Sequence, residues 1–589
     1  MRAKTAIRRR RVATLLATTA LLGVVATGCG ASKASPSTKK VAFSKDVLLV
    51  GTYQGKAGAY KTIQAAVNVA KPGDWILVGP GDYHETSDFQ EPPTATQANE
   101  GYMGGVVIET PDLHLRGMNR GSVIVDGTRA GAPAPCDAAQ QWQNFGVKAA
   151  NGKAYGRDGI VIWKADDVSV DNMTICNFLA GTGASGNEIW WNGGDESARI
   201  GLRGYEGSYI TATSTYFGGE TTAAQYGIFS SNSAGPGNWN QLYANNFNDS
   251  GMYVGACQQV CDVSISHAWM ENNALGYSGT NSGGQVVIED SQFDHNEDGV
   301  DTNTQINGDP PAPQNGDCPD GATSPVSHTH SCWVFIDNYV HDNNNPSTPK
   351  AGSAAAGPTG TGMTVSGGRN DTVMDNRFDN NGAWGILFVP YPDSSPPQDG
   401  QTCNGTGGQE VKGFGCIYDP EGDALLHNTF VHDGYFGNVS NSDFGQIVYT
   451  ARQPQNCFVG NVAPQGSAPA DLEQAQPVCG PVTKVPNTGG PLLSEVLCDT
   501  GFGTCPKGAK YPSSKAVDLT TVPTDLATMP DPCEGVPSNL WCPSGGSSGS
   551  ALPAHGPSDS VPLGPALVGS LGFVAGPAAR RPRRRTTRA

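Results

Sequence analysis

Charged residues are scarce in this chain, at 15% of its 589 residues, and long runs of helical periodicity are absent. Gly and Pro are abundant instead, with 78 and 42 residues. This composition excludes a helical bundle and is typical of an all-β protein rich in turns. Clusters of Met and His, which soft metals require, are also missing.

Basic residues are scarcer still in the body of the chain. Of 37 Lys and Arg, fifteen lie in the first 40 or the last ten residues, which leaves 22 against all 54 acidic residues. Such an acidic body excludes nucleic acid and anionic membrane surfaces as its partners. A polyanionic glycan would need bridging cations, and the acidity also serves plain solubility.

A short phrase repeats along the middle of the chain: Asn or Ser, any residue, a large apolar residue, two more residues, then usually Asn. Its copies lie around Phe247, Met270, Phe293, Val340, Phe378 and Phe430. The first three of these follow one another at intervals of 23 residues, which is room for three short strands and three turns. A fixed period of this length predicts a stacked solenoid, here a parallel β-helix.

The segment from Thr62 to Tyr83 carries a family resemblance. Thr62-Ile63-Gln64-Ala65-Ala66, Lys71-Pro72-Gly73-Asp74 and Gly79-Pro80-Gly81-Asp82-Tyr83 resemble the N-terminal cap of the right-handed parallel β-helix (pectin-lyase-like) superfamily. An amphipathic capping helix over 60–70 would cover the open end of the first coil. The resemblance extends over about residues 46 to 450. It implies the fold but no single activity, because the superfamily includes lyases, hydrolases, esterases, epimerases, tailspikes and adhesins.

The chain divides into six predicted parts. Residues 1–28 resemble a bacterial lipoprotein signal, after which Cys29 would be lipidated. The other parts are a tether (29–45), the right-handed parallel β-helix (46–452), a Cys- and Pro-rich irregular C-terminal cap (453–545), a linker (546–560) and an apolar segment with a basic tail (561–589). That tail resembles a cell-wall sorting signal, and a weak membrane span is the alternative. We therefore expect an exported monomer, held by its terminal anchors at the extracellular face of the membrane or in the cell wall.

Cysteine usage agrees with export. Removing Cys29 from the 15 Cys leaves an even number, as expected for a disulfide-stapled exported protein. Neighbours in sequence suggest the pairs Cys257–Cys261, Cys318–Cys332, Cys403–Cys416, Cys498–Cys505 and Cys533–Cys542. A zinc site at the first pair is the rival interpretation, although no second ligand pair follows at suitable spacing.

Ionisable residues are densest around Asp294. In a solenoid, equivalent residues of neighbouring coils form columns about 4.8 Å apart. Carboxylates one coil apart would suit a retaining glycosidase, and carboxylates two coils apart an inverting one. The candidate catalytic residues are Glu271, Asp294, His295, Asp298, Asp301 and His341.

A metal site is an equally good interpretation of this region. Asp294, Asp298 and Asp301 offer the hard oxygen ligands that Ca²⁺ prefers. In a lyase, such an ion would acidify the proton beside a uronate carboxylate. Asn and Asp at β-helix turns also satisfy backbone groups, which is the preferred interpretation of Asn296, Asn343 and Asn381.

Segments rich in Gly, Pro, Ser, Asn and Asp interrupt the repeats and are predicted to be loops that gather on a binding face. They are 130–155, 183–196, 307–331, 345–360 and 390–416. Trp142, Trp190 and Trp191 lie in them as candidates for stacking on sugar rings, unless these rings only hold the loops against the body.

The function expected from these features is exported glycan chemistry, by a lyase or a glycoside hydrolase acting on a polysaccharide or cell-wall glycan. The catalytic motifs of polygalacturonases, pectate lyases and pectinesterases are missing, so no member's mechanism can be transferred. The alternative is a non-catalytic, glycan-binding or adhesive surface protein.

Overall fold

The computed structural model describes residues 46–87, 103–183, 185–194, 199–257, 260–304, 316–352, 354–393, 402–412, 415–449, 455–479, 491–513 and 516–544. The predicted signal, Cys29, the tether, the linker and the tail lie outside these residues. Within the described ranges, no helix has both the length and the apolar character needed to cross a bilayer.

Short strands dominate the described residues. The first are β1 Val47–Val50, β2 Thr52–Tyr53, β3 Lys56–Ala57, β4 Trp75–Val78, β5 Gly81–Tyr83, β6 Gly104–Ile108, β7 His114–Gly117, β8 Val123–Asp126, β9 Asp158–Trp163, β10 Val168–Cys176, β11 Asn187–Asn192 and β12 Leu202–Thr213. The next are β13 Tyr226–Ser231, β14 Ser233–Asn240, β15 Tyr243–Asn245, β16 Ser250–Gly255, β17 Val260–Ser266, β18 Trp269–Glu271, β19 Leu275–Thr280, β20 Gly284–Glu289, β21 Gln292–Asp294, β22 Asp298–Asn303, β23 Trp333–Ile336 and β24 Tyr339–His341. The last are β25 Thr361–Ser366, β26 Asp371–Met374, β27 Arg377–Asp379, β28 Trp384–Val389, β29 Tyr391–Asp393, β30 Gln409–Val411, β31 Gly415–Tyr418, β32 Ala424–Leu426, β33 Thr429–Val431, β34 Ser442–Gln446, β35 Cys457–Val459 and β36 Ser467–Ala468.

These strands stack into three parallel ladders, and each full coil gives one strand to each ladder. The first ladder runs β1-β4-β7-β10-β12-β14-β17-β20-β23-β26-β32-β35. The second runs β5-β8-β10-β12-β15-β18-β21-β24-β27-β33, and the long strands β10 and β12 belong to both. The third runs β6-β9-β11-β13-β16-β19-β22-β25-β28-β34-β36. The predicted parallel β-helix is thus confirmed; its right-handed winding, the usual hand of parallel crossovers, stays a prediction.

Alternation along each strand places one side chain in the core and the next outside. In the third ladder, the inward column consists of residues in direct register: Ile160, Ile189, Ile228, Met252, Tyr277, Val300, Met363, Ile386 and Phe444. All of them are buried in one continuous apolar core. Burial of these columns stabilises the stack at roughly 25 cal/mol per Å² of apolar surface.

One copy of the predicted repeat is out of register. Met270 pairs with Ala244 rather than with Phe247, and Phe247 lies in the turn that follows, where its N–H donates to Asn273 Oδ1. The equal 23-residue spacing around Phe247 was therefore misleading, because this coil is longer. The later copies are in the predicted register, from Met270 through Phe293 and Val340 to Phe378 and Phe430.

Side-chain amides form two ladders along the turns. In each, a side-chain oxygen accepts the backbone N–H of the equivalent residue one coil earlier. After the second ladder of strands, this series is Asn273, Asn296, Asn343, Asn381 and Asp433. Before it, the series is Ser291, Asn338, Asn376, Asn428 and Asn461. The predicted ladder role of Asn296, Asn343 and Asn381 is confirmed.

The turn after the second ladder also contains a left-handed residue in every repeat. The residues with positive φ at this position are Asn246, Asn272, His295, Asp342, Asn380 and His432. Asn, Asp and His tolerate this conformation better than other side chains that carry a Cβ. Turn geometry alone therefore accounts for the residue types in this column, including His295.

The predicted capping segment forms a shorter helix than 60–70. Helix α1 spans Ile63–Val67, and Thr62 accepts the N–H of Ala65 at its start. Glu85 accepts the N–H groups of Ile63 and Gln64, which fixes the same end. The helix packs against β1, β4 and β6, and its closing of the first coil stays a prediction.

Fourteen Cys form seven disulfides. The five pairs suggested by sequence proximity are confirmed, including Cys257–Cys261, where zinc was the rival interpretation. The other two bonds are Cys136–Cys176 and Cys457–Cys479.

The C-terminal region does more than cover the last coil. Helices α2 (Leu472–Ala475) and α3 (Pro491–Asp499) pack at that end. Residues 516–544 then run back along the solenoid. Their contacts begin at Ser347, pass Asn246 and Arg120, and end at Trp75 and Lys56 near the first coil. We call residues 516–544 the return segment.

Asp433 closes one amide ladder with a carboxyl where the other coils have Asn. Burial raises its pKa to about 8, although its hydrogen bonds to Asn381 oppose the shift. A buried carboxyl of raised pKa binds its proton more tightly in the folded state, so its contribution to stability is present at low pH. That contribution is lost as the pH rises toward about 8.

Asp433→Asn should therefore stabilise the protein more at pH 8.5 than at pH 5.5, because the amide completes the ladder without a titrating group. Thermal unfolding at the two pH values measures this difference. Equal effects at both pH values would contradict the assignment of a buried, neutral Asp433.

Candidate functional site

The outer face of the third ladder changes from aromatic to polar along its length. One outward column runs in register through Val161, Trp190, Phe229, Tyr253, Ser278, Asp301, Thr364 and Leu387. Aromatic rings therefore adjoin hydroxyl and carboxyl groups on the same face. Such a surface can combine apolar contact with hydrogen bonding to a sugar.

Inserted segments border this face. The three-stranded antiparallel sheet β29-β31-β30 contributes Tyr391, and the 3₁₀ turn Ala354–Ala356 contributes Ala354. A pocket of about 60 Å³ lies between them, room for several waters or one edge of a sugar ring. It is lined by Tyr226, Asp249, Tyr253, Leu275, Ser278, Thr280, Asp301, Asn303, Ala354 and Tyr391. We call this surface the third-ladder cleft.

The aromatic end of the cleft is a continuous stack. The ring of Phe229 lies nearly parallel to the rings of Trp190 and Tyr226, with distances between ring centroids of 5.1 Å and 4.4 Å. The ring of Tyr253 meets that of Phe229 edge-on, with a centroid distance of 4.8 Å. These contacts hold Tyr226 and Tyr253 in place as an aromatic wall of the pocket, with Phe229 and Trp190 packed behind them.

The three tryptophans predicted to bind sugar have different environments. Trp191 is fully buried in the core, so its predicted role is wrong. Trp190 is 6% exposed, and its Nε1 donates to Ser231, so it supports the wall rather than offering a face. Both lie in β11, which corrects the predicted loop at 183–196. Trp142, at the end of a 3₁₀ turn, is half-buried, and its predicted role stays a prediction.

Two predicted residues, Asp298 and Asp301, lie together in β22. The hydroxyl of Thr364 is 2.8 Å from Asp298 Oδ2 and 2.7 Å from Asp301 Oδ1. One hydroxyl has only one hydrogen to donate, so it can satisfy both carboxyls only when one of them is protonated. Burial, followed by the charge of Asp301, raises the pKa of Asp298 well above its usual value. Asp298 is therefore the protonated partner.

Asp301 is better supplied with donors than its neighbour. Ser366 and Thr364 donate to Oδ1, and Asn303 donates to Oδ2 at 2.7 Å. Burial raises its pKa, but these three hydrogen bonds favour the ionised form. Asp301 thus faces the pocket as the group suited to accept a proton.

A second carboxyl in the pocket, Asp249, was not among the sequence candidates. It accepts hydrogen bonds from Tyr226 at 2.9 Å and Ser250 at 2.8 Å. Burial raises its pKa to about 6, and the charge of Asp301 adds to the shift. The misaligned repeat at Phe247 concealed this residue, since Asp249 immediately precedes a strand of the third ladder.

The remaining predicted residues lie on a different face. Glu271, Asp294 and His341 are in register on the outside of the second ladder, and His295 follows in the turn. The predicted Ca²⁺ ligands Asp294, Asp298 and Asp301 are not brought together, because Asp294 belongs to β21 and the others to β22. The groups of close metal-ligating side chains found among the described residues do not include this trio.

Comparisons with known proteins give no relative in sequence. No family model and no curated protein matches the chain. Similar solved structures include the A-module of a mannuronan C-5 epimerase from Azotobacter vinelandii, with 12% identity over 68% of this chain and 93% of that one and a TM-score of 0.36. An alginate lyase from Paenibacillus has 12% identity over 69% and 93%, with a TM-score of 0.29. The catalytic domain of a GH87 α-1,3-glucanase has 10% identity over 68% and 67%, with a TM-score of 0.33.

The three stacked ladders of this chain lead to one conclusion. The fold is a parallel β-helix. The similarity carries no argument about activity at these identities and TM-scores, so a function for this β-helix has to be argued from its own side chains.

Thr364→Val should lower the free energy of unfolding by about 1–3 kcal/mol, because it leaves two buried carboxyls without their shared hydroxyl. Thr361→Val is the matched control on the same strand, since the buried Thr361 hydroxyl has no hydrogen-bond partner. Denaturant unfolding of both variants tests the difference. A loss of the same size in both would contradict the shared hydrogen bond.

Proposed function

We propose that the third-ladder cleft hydrolyses a glycan, with Asp249 as the general acid and Asp301 as the general base. The observation that carries this proposal is that the buried carboxyl of Asp301 and the half-buried carboxyl of Asp249 line one pocket beside an aromatic wall and have different hydrogen-bond donors. Burial raises the pKa of both carboxyls, and the ionised form is favoured by three donors at Asp301 but by two at Asp249.

The spacing of the two residues supports an inverting reaction. Asp249 precedes β16, and Asp301 lies in β22, two coils further along the third ladder and, by register, four residues further along the strand. The backbones are therefore offset by about 10 Å across the coils and by about 13 Å along the strand, and both side chains line the same pocket. Side chains that approach each other from this distance leave room for a water molecule, as inverting glycosidases require.

The charge of the pocket favours a neutral glycan. Its described lining contains two aspartates and neither Lys nor Arg. A uronate carboxylate would meet like charge there with no cation to offset it. The lyase chemistry considered from the sequence therefore has less support in this cleft than hydrolysis.

Asp249→Asn and Asp301→Asn should each lower kcat/KM on a neutral polysaccharide by about 10²–10⁴-fold, the usual contribution of a general acid or base. Asp290→Asn is a suitable control, because Asp290 is an exposed turn residue whose positive φ Asn readily adopts. Reducing-end release from neutral and uronate polysaccharides, with thermal unfolding of each variant, measures the effect.

The pH dependence has a defined sign. Asp249 must be protonated to act as the acid, so activity should fall as the pH rises above about 6.

The anomeric configuration of the products, seen by NMR, should be inverted relative to that of the substrate. Unsaturated products would indicate a lyase instead, and binding without turnover by the folded protein would support the alternative of a glycan-binding surface protein.

A further inference from the structure

A second group of ionisable side chains lies outside the third-ladder cleft. Glu271, Asp294 and His341 occupy equivalent positions on three consecutive coils of the second ladder, and His295 follows Asp294. We call these four residues the second-ladder cluster. Consecutive coils are about 4.8 Å apart, so neighbouring members of this column lie close together without any inserted loop.

Three of the four side chains have donor atoms close enough to share one ion, because ligand atoms of Glu271, Asp294 and His295 all lie within 4.8 Å of one another. His341 lies outside this group, and its Nε2 atom approaches Asp294. His295 Nδ1 is 2.6 Å from Asp294 Oδ2, and His341 Nε2 is 4.0 Å from Asp294 Oδ1. The cluster differs from the predicted Ca²⁺ trio in its ligand types, because it includes two imidazoles. Asp294 is the one residue that belongs to both.

His341 supplies the decisive observation. Its Nδ1 is 2.9 Å from Asp342 Oδ2, so this nitrogen carries the hydrogen and Nε2 has a bare lone pair. That Nε2 atom is buried and has no hydrogen-bond partner. It faces a carboxylate oxygen at 4.0 Å, too far for a direct hydrogen bond but suitable for two ligands of one cation.

Neighbouring residues hold the carboxylates in place. Trp269 Nε1 and Gln292 Nε2 donate to Asp294 Oδ1 at 2.7 and 2.8 Å. The hydroxyl of Tyr243 donates to Glu271 Oε1. Asp294 is 3% exposed, so it is fixed, whereas the ring of His295 is 59% exposed. The site is therefore rigid on its inner side and open to solvent on its outer side.

A second group of His and carboxylates has no ring nitrogen left without a partner. Asp82, His84 and Asp126 also lie close together at the start of the second ladder. Both ring nitrogens of His84 have partners, since Nδ1 is 3.0 Å from Thr128 O and Nε2 is 3.2 Å from Asp82. A proton satisfies that arrangement without a metal.

We propose that the second-ladder cluster binds one divalent transition-metal ion of the zinc type, with ligands from Glu271, Asp294, His295 and His341. Two imidazoles and two carboxylates suit such ions, whereas Ca²⁺ and Mg²⁺ prefer oxygen ligands alone. Binding of the ion releases to solvent the proton that His295 and Asp294 share, and the exposed His295 ring must turn outward, because 2.6 Å between Nδ1 and Oδ2 is too short to hold an ion. This site is independent of the proposed glycan cleft.

Binding of Zn²⁺ to the chelator-treated full chain, measured by calorimetry, tests the proposal. We expect one Zn²⁺ per chain, not displaced by Ca²⁺, and visible absorbance typical of nitrogen and oxygen ligands when Co²⁺ is used instead. His295→Asn should weaken binding at least about ten-fold, a typical cost at a metal site. Asn keeps the left-handed turn, and the exposed position of His295 makes this substitution compatible with the fold.

His432→Asn is the matched control, because His432 has the same positive φ in the same column, three coils further on. His341→Gln should also weaken binding, with circular dichroism as the check of folding. The proposal is overturned by the absence of stoichiometric Zn²⁺ binding, by equal affinity in His295→Asn and the unmodified chain, or by displacement with equimolar Ca²⁺.

Discussion

Backbone N–H groups in the sharp turns of this solenoid are closed off from water by the coil that follows. A side-chain oxygen from that next coil accepts them, and the series from Asn273 to Asp433 repeats this hydrogen bond coil after coil. An unsatisfied buried N–H costs about 1–3 kcal/mol, so the coils can stack only in the register that keeps every acceptor in line. That register also aligns the outward columns, and both candidate sites depend on it.

The two faces use the common register differently. On the third ladder, the column joins a rigid aromatic wall to Asp301, while inserted segments supply the sides of a cleft. On the second ladder, the column itself supplies the proposed ligands Glu271 and Asp294, and no insertion is needed to bring these two together. A single structural repeat thus underlies both the proposed glycan cleft and the proposed metal site.

The amide ladders and five of the disulfides could be predicted from the sequence, because the residues that form them recur within short stretches of the chain. The spacing of Asn296, Asn343 and Asn381 reveals the amide ladder, and Cys close in sequence can pair only across short loops. Failures occurred where coil length changes. The coil at Phe247 has 26 residues from Ala244 to Met270, whereas the next coil has 23 from Met270 to Phe293, so alignment by spacing missed Asp249 and Tyr226. Trp190 and Trp191 were assigned to a loop because adjacent Gly and Asn obscured the strand between them. The cleft also needs Tyr391 and Ala354, whose approach to β22 depends on tertiary packing that no local pattern contains.

The return segment changes how the whole stack can come apart. A solenoid whose coils contact only their neighbours can fray from either end, one coil at a time. Here the chain leaves the last coils and is fastened again near the first, where Trp541 packs with Trp75 and Leu77 and donates to the carbonyl of Lys56. Unfolding of the terminal coils therefore also strains the contacts that the return segment makes near the first coil. This connection couples distant coils into one cooperative unit.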